Sequence, residues 1–171
     1  MLARSRRAAH TLIEVLVVVL VLMIIAGIVI PTLLSGQDSQ VCAAARIVAS
    51  DLETARSMAV TTLVPHSLVF NDTLTAYKVV ANYADEGFDA AVAVDHPVKA
   101  GSAYMVLLAA QGGMTGVRVT SADFGGEAFV TFDSQGEPSS PGTVSLAAGV
   151  FLMDVSVEAL TGNIAVSDMT N

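Results

Sequence analysis

One apolar stretch near the N-terminus constrains this chain more than any other feature. Residues 12–30 are apolar apart from a single carboxylate, Glu14, and a basic head precedes them with Arg4, Arg6 and Arg7. At a helical rise of about 1.5 Å per residue, the stretch reaches about 28 Å, close to the hydrocarbon thickness of a bilayer. Because lipid offers unpaired backbone groups no partner, a helix is needed to satisfy all of them within one segment. The stretch therefore predicts a single membrane-spanning helix.

Charge is distributed unevenly around this predicted span. Fifteen of the sixteen acidic residues, but five of the eight basic ones, follow Pro31. The arginines at the N-terminal end predict that this end stays in the cytoplasm and that the acidic remainder is exported. An acidic domain repels phosphate groups, and after Arg118 there is no Lys or Arg against seven acidic residues, so we expect no nucleic-acid partner. The single cysteine, Cys42, excludes an internal disulfide.

Two other interpretations of the N-terminal segment stay open. A cleaved secretory signal also has a basic head and an apolar run, although this run is longer than usual and no small-x-small cleavage site follows it. The second alternative is an unprocessed anchor. In that case the chain is a single-span membrane protein whose acidic domain binds some extracytoplasmic ligand.

A helical pattern continues beyond the span. Apolar or small residues recur every three or four positions over residues 41–62, and polar residues occupy the other side, as in an amphipathic helix. Pro31 removes one backbone donor, so we predict a kink there rather than an end. A continuous helix over residues 11–62 would be about 78 Å long. Two helices separated at Ser35 and Gly36 are the alternative.

From Pro65 onward the apolar period changes to two and turn residues become frequent. The pattern predicts strands over residues 66–70, 75–80, 104–108, 117–123, 128–132, 143–148, 151–157 and 163–167. A turn at Asn71 and Asp72 makes the first two strands a hairpin, and turns at 148–149 and 160–162 make the last three a meander. A long helix followed by short strands predicts an α+β fold, with the helix on one face of an antiparallel sheet. Two polar loops, 82–97 and 133–141, interrupt the strands.

The N-terminal motif resembles the signal of type IV pilins and of the pseudopilins of type II secretion. Residues 11–14 (TLIE) match the family motif that follows the cleavage site. The resemblance places the cut of the prepilin peptidase after Ala9 and makes His10 the N-methylated first residue of the mature chain. The family more often has Gly and Phe at these two positions. Glu14 and Pro31 then occupy the positions at which the family has its carboxylate and its helix-kinking proline.

Three further segments resemble the H-type minor pseudopilins, the GspH/FimT family. They are residues 52–59 (LETARSMA), 130–136 (VTFDSQG) and 160–166 (LTGNIAV). The resemblance implies a pilin-like fold, in which a long N-terminal helix packs on a C-terminal antiparallel sheet domain. It divides the chain into a cleaved leader (1–9), a transmembrane assembly segment (10–31), an amphipathic continuation (32–63) and a periplasmic β-rich domain (64–171).

The resemblance also implies a function, that of a non-enzymatic minor pseudopilin in a type II secretion system. No Lys, Arg or His lies between Thr11 and Pro31, so either the partner of Glu14 comes from outside this helix or the acid stays protonated. In the family, that partner is the N-terminal amine of a neighbouring subunit. A carboxylate that snorkels to the membrane interface is the alternative to a role in assembly. The implied partners are other pseudopilins, the prepilin peptidase and methyltransferase, the inner-membrane assembly platform and the lipid bilayer. A minor pilin of a type IV pilus is the alternative within the family.

The remaining residues predict no catalytic centre and no cofactor. Cys42 fits a small buried residue, and His66 and His96 lack metal-ligand spacing. No nucleophile motif surrounds any serine. Loop 82–97 contains four carboxylates, Asp85, Glu86, Asp89 and Asp95. They lack the order of oxygen ligands of an EF-hand, so we expect a solvated loop, with a calcium site as the alternative.

Overall fold

The structure is a computed structural model that describes the backbone of residues 12–170 and the side chains of residues 12–25 and 36–170. Contacts divide the chain into two units, Met1–Gly36 and Gln37–Asn171. One α-helix, α1 (Leu12–Thr62), contributes to both units. The prediction of an uninterrupted helix through Pro31 is confirmed, and the alternative of a break at Ser35 and Gly36 is wrong. The predicted kink at Pro31 falls among the residues whose side chains are not described.

In the first unit, the described part of α1 is apolar on all sides apart from Glu14. The large apolar side chains of residues 12–25 are between 44% and 84% exposed. Over the residues that the structure describes, no helix combines the length and apolar character needed to cross a membrane. The predicted span includes residues 26–30, whose side chains fall outside the description, and it stays a prediction.

In the second unit, α1 buries one stripe of small and branched side chains. The buried residues are Val41, Ala44, Ala45, Val48, Leu52, Ala55 and Ala59. Their spacing of three or four places them on one face of the helix, and the alanines let neighbouring strands approach the helix axis closely. The stripe is the predicted one, except that Thr62 is exposed in the last turn, where its hydroxyl donates to Met58 O. The helix ends because Leu63 adopts a left-handed φ of 58° and Pro65 has no N–H to extend it.

Over residues 12–170 the helix is followed by eight strands. They are β1 (His66–Phe70), β2 (Ala76–Ala81), β3 (Met105–Leu107), β4 (Val117–Asp123), β5 (Phe129–Phe132), β6 (Gly142–Ala148), β7 (Phe151–Val157) and β8 (Ile164–Val166). Each lies within one residue of a predicted strand at both ends. They form two antiparallel sheets in the orders β3-β2-β1-β5 and β4-β6-β7-β8. The hairpin β1–β2 and the meander β6–β7–β8 are confirmed; the division into two sheets was not predicted.

Both sheets share one hydrophobic core with α1. Leu52 of the helix belongs to the same buried cluster as Leu68 and Phe132 of the first sheet and Val144 and Leu146 of the second. Fully burying one such side chain stabilises the fold by about 1.5–3 kcal/mol. The second unit therefore folds around the amphipathic half of α1, and that arrangement determines which helix residues meet the strands.

The outer face of the first sheet is covered by loop 82–97. All five residues of β1 are buried, since the core covers one face of the strand and the loop covers the other. Phe88 and Ala91 of the loop pack with Val69 and Val80 of the sheet. The sequence predicted solvation for the carboxylates of this loop, and it gave no indication that the apolar residues of the loop pack on the sheet. The four carboxylates of the loop are exposed.

Candidate functional site

The residues to which the sequence assigns a role in assembly lie in the first unit. Ala9 and His10 lie outside the described residues. Glu14 is exposed in the first turn of α1, at a shallow recess that it forms with neighbouring valines of the helix. Pro31 lies within α1, but its side chain is not described. The roles of these four residues remain predictions.

In the second unit, a carboxylate of α1 accepts hydrogen bonds from two tyrosines. Tyr77 of β2 donates to Asp51 Oδ2 at 2.5 Å, and Tyr104, which precedes β3, donates to Asp51 Oδ1 at 2.8 Å. Both tyrosines are almost fully buried. Asp51 therefore ties the helix to the first sheet at two points.

The electrostatics of this cluster follow from its burial. Burial raises the pKa of the Asp51 carboxyl above its ordinary value, while the two tyrosine hydroxyls and the nearby His96 act in the opposite direction. The pKa values of Tyr77 and Tyr104 are also raised, first by burial and then by the charge of Asp51. Both phenols therefore remain protonated and act as donors at neutral pH.

The loop between β2 and β3 is attached to the same cluster through His96. Its ring lies against Tyr104, with ring centres 4.4 Å apart. The backbone N–H of Val98 donates to His96 Nδ1 at 3.1 Å. Because Nδ1 accepts this bond, the neutral ring carries its proton on Nε2. His96 has a structural role here, in agreement with its lack of metal-ligand spacing.

A buried lysine holds the same loop against the outer face of the first sheet. Lys78 of β2 is 7% exposed, and its Nζ donates to Ala91 O at 2.6 Å. The ammonium also lies 4.3 Å from the centre of the Phe88 ring, which is the distance of a cation–π contact. Without these partners, a buried ammonium would be strongly destabilising. Lys78 thus makes the position of the loop part of the fold.

Sequence reasoning missed Asp51 and Lys78. A single charged residue within an amphipathic pattern looks like a solvated one, because its partners lie far away in the sequence. A weak signal was present for each. Asp51 directly precedes the buried Leu52, and Lys78 lies between apolar residues of a strand that is buried at almost every position. Neither signal identifies the partner.

The structure brings together the three segments that carry the resemblance to H-type pseudopilins. Arg56 of the first segment donates through Nε to the carbonyl oxygen of Gly136, in the second segment, at 3.2 Å. Gly162, in the third, lies against the same carbonyl. A Cβ added at Gly162 would lie 2.4 Å from Gly136 O and 3.2 Å from Arg56 Nε. Because Gly136 and Gly162 have no Cβ, the Arg56 side chain has room to reach the Gly136 carbonyl.

An open groove of about 430 Å³ lies beside this junction. We call it the Arg56 groove, and it is lined by Glu53, Arg56, Ser57, Val60, Thr61, Asn163 and Ile164. Its walls are the last turns of α1 on one side and the start of β8 on the other. Five of the seven lining residues belong to two of the three segments, and Gly136 supplies the carbonyl that orients the guanidinium.

The other candidate residues have structural surroundings. Cys42 is partly buried and has a free thiol. His66 is buried, with Nδ1 2.8 Å from Val64 O. Within the described part of the chain, no three His, Cys, Asp or Glu side chains are grouped so that they could hold a metal ion.

Two protein-family models match the chain. A family model described as type II transport protein GspH matches residues 44–162, which is more than half of the chain. A model described as the prokaryotic N-terminal methylation motif matches residues 4–30. No curated protein matches the sequence significantly.

Solved structures share the fold at low sequence identity. The minor pseudopilin EpsH from the type 2 secretion system of Vibrio cholerae has a TM-score of 0.56 at 13% identity, and the match covers 75% of this chain and 96% of EpsH. The type IV minor pilin FimU of Pseudomonas aeruginosa has a TM-score of 0.52 at 14% identity, and the match covers 76% of this chain and 90% of FimU. At sequence identities of 13% and 14%, the similarity shows that the fold is shared.

Proposed function

This chain belongs to the family of the type II transport protein GspH, and on that premise we propose that it is a minor pseudopilin of a type II secretion system. The observation that carries the proposal is the match of the family model to residues 44–162. The methylation motif over residues 4–30 and the fold that the chain shares with EpsH support it. The protein would be a structural subunit of a periplasmic filament and not an enzyme.

The N-terminal segment would serve processing and assembly. A prepilin peptidase would cut after Ala9, and His10 would become the N-methylated first residue. Glu14 would then pair with the N-terminal amine of a neighbouring subunit, an interaction that gains strength in a low dielectric. The exposed apolar surface of residues 12–25 supports this role, because a helix that is apolar on all sides needs lipid or other helices around it.

The proposal also assigns a location and partners. The N-terminal helix would anchor the precursor in the inner membrane, with its arginines in the cytoplasm and the acidic domain in the periplasm. Other pseudopilins would bind the helix in the filament. The prepilin peptidase, the methyltransferase and the assembly platform would act on the precursor at the membrane.

The intact mass of the protein purified from membranes tests this proposal. We expect a mature chain that begins with N-methyl-His10. Retention of Met1 would support an unprocessed anchor instead and would contradict the proposed processing. The Glu14→Ala variant should still insert into the membrane but fail to enter the filament, whereas Glu127→Ala, at an exposed position of the second unit outside the Arg56 groove, should enter it normally.

A minor pilin of a type IV pilus is the second candidate, and the fold shared with FimU favours it. The two systems differ in the defect that loss of the subunit should cause. Deletion of the gene should abolish secretion of a type II substrate if the first proposal holds. Loss of surface pili with normal secretion would favour the second.

A further inference from the structure

Arg56 keeps most of its hydrogen-bonding capacity unused. A guanidinium has five N–H donors, and among the described residues Arg56 uses one of them, the Nε–H to Gly136 O. Within the same residues, Nη1 and Nη2 have no hydrogen-bond partner and no carboxylate at ion-pair distance, and neither atom is buried. Even Glu53, one turn earlier on the helix, is not paired with it. The two terminal nitrogens therefore remain available in the groove.

An exposed apolar side chain lies in the same groove as these free donors. Val60 lines the Arg56 groove and is 43% exposed, and its Cγ2 would lie 3.2 Å from a Cβ at Gly136. A Cβ at Gly136 would also lie 3.0 Å from Arg56 Nε, so Val60 and Arg56 approach the same point. A cation with free donors beside an exposed apolar side chain is the composition expected at the centre of a protein interface.

We propose that the Arg56 groove binds a segment of a neighbouring pseudopilin that presents an Asp or Glu side chain next to an apolar residue. The class of the partner rests on the proposed function. The guanidinium can hold a carboxylate through two parallel N–H···O bonds, which gives orientation as well as attraction. The apolar neighbour of that carboxylate would cover Val60.

Charge favours a single carboxylate over other anions. Beyond Pro31 the chain has fifteen acidic residues against five basic ones, and of these five, Lys78 is already buried in the fold. Glu53 also lines the groove. A polyanion such as a nucleic acid would be repelled by this surface, whereas one carboxylate at Arg56 meets the least repulsion. The groove is thus a place where a carboxylate of another subunit can approach an acidic domain.

Photo-crosslinking in the full chain tests the inference. A photoreactive amino acid replaces Thr61, which is exposed at the groove, and the chain is expressed together with the other pseudopilins of its own gene cluster. We expect cross-links to a pseudopilin peptide that contains Asp or Glu. Ser57→Glu places a negative charge in the groove and should lower the yield about three- to fivefold, whereas Ser57→Lys should maintain or raise it.

Ser50→Glu provides the matched control. It makes the same charge change at an exposed position of α1 outside the Arg56 groove, and the cross-link should be unaffected. Equal yields for Ser57→Glu and Ser57→Lys, or a peptide without a carboxylate, would overturn the inference. If the chain still co-purifies with the pseudopilins in a Glu14-dependent manner, the proposed function stands. Absence of any association with pseudopilins would overturn both.

Discussion

Tyr104 and Asp51 are 53 positions apart in the sequence, yet the Tyr104 hydroxyl donates a hydrogen bond to Asp51 Oδ1 at 2.8 Å. Tyr77 completes the arrangement from the neighbouring strand. The bonds join the amphipathic half of α1 to the first sheet, and both tyrosines are almost fully buried. A polar contact in such surroundings contributes to stability only while every member keeps its partner.

Removal of the shared acceptor should therefore destabilise the second unit. In Asp51→Ala, the hydroxyls of Tyr77 and Tyr104 lose their acceptor. A buried donor without a partner costs about 1–3 kcal/mol, so we expect the free energy of unfolding to fall by about 2–4 kcal/mol. The chain has no tryptophan, so chemical denaturation can be followed by tyrosine fluorescence.

A double-mutant cycle separates this hydrogen-bond effect from lost packing. Tyr77→Phe removes one donor and leaves the ring in place. In the background of Asp51→Ala, Tyr77→Phe should cost much less than it does in the wild type, since the hydroxyl has already lost its acceptor. Strictly additive effects would contradict a direct interaction between the two side chains.

The raised pKa of Asp51 predicts the direction of a pH effect. The folded chain holds this proton more tightly than the unfolded chain does, for which the pKa is about 3.9. The contribution of Asp51 to stability is therefore complete below that value and is lost as the pH rises through the folded-state pKa. Relative to Asp51→Asn, which cannot ionise, the wild type should lose stability as the pH is raised from about 4 to 7. Unfolding curves of both proteins at several pH values measure this difference, and a relative stability that rises with pH would contradict it.

Lys78→Met tests how the loop over the first sheet is held. Methionine keeps the apolar volume but loses the bond to Ala91 O and the contact with Phe88. The backbone N–H of Ala91, which donates to Gly87 O, should then exchange with deuterium about tenfold faster, since local opening becomes easier. The effect should be confined to the loop.

Lys99→Met is the control for that experiment, because Lys99 is an exposed lysine of the same β2–β3 connection. It should leave the exchange of Ala91 unchanged. Unaltered exchange in Lys78→Met would show that the apolar residues of the loop are sufficient to hold it.

Gly162→Ala tests the close approach at Arg56. The added Cβ would lie 2.4 Å from Gly136 O, a backbone atom that has little freedom to move. Overpacking of this kind costs about 1–3 kcal/mol. The matched variant is Gly126→Ala, where φ is +100° but nothing lies within 4 Å of the added atom. Thermal unfolding should show the larger loss for Gly162→Ala, and equal losses would mean that backbone strain alone explains both.

The division of the strands between two sheets shows where sequence reasoning reaches its limit. The eight strands were predictable because a period of two and the glycines at the turns are local signals. Sheet order depends on which distant segments pair. β5 pairs with β1 and not with β4 or β6, its neighbours in the chain, and no local pattern contains that information.

The residues of the site divide in the same way. The motif around Glu14 and the apolar run that follows it are contiguous, and their meaning can be inferred from spacing and charge alone. Arg56 was visible as part of a motif, but its bond to Gly136 joins positions that are 80 residues apart. The environment of Asp51 likewise depends on two tyrosines, one in β2 and one just before β3.

The sequence by itself therefore determined the features that repeat along the chain: the apolar run, the amphipathic continuation of the helix, and the strands with their turns. The period of each pattern follows from the geometry of one helix or one strand. The tertiary structure alone decided the partners of Asp51, Lys78 and Arg56. A charged side chain is stabilised by the groups that lie beside it in the folded chain, and the packing of the whole second unit decides which groups these are.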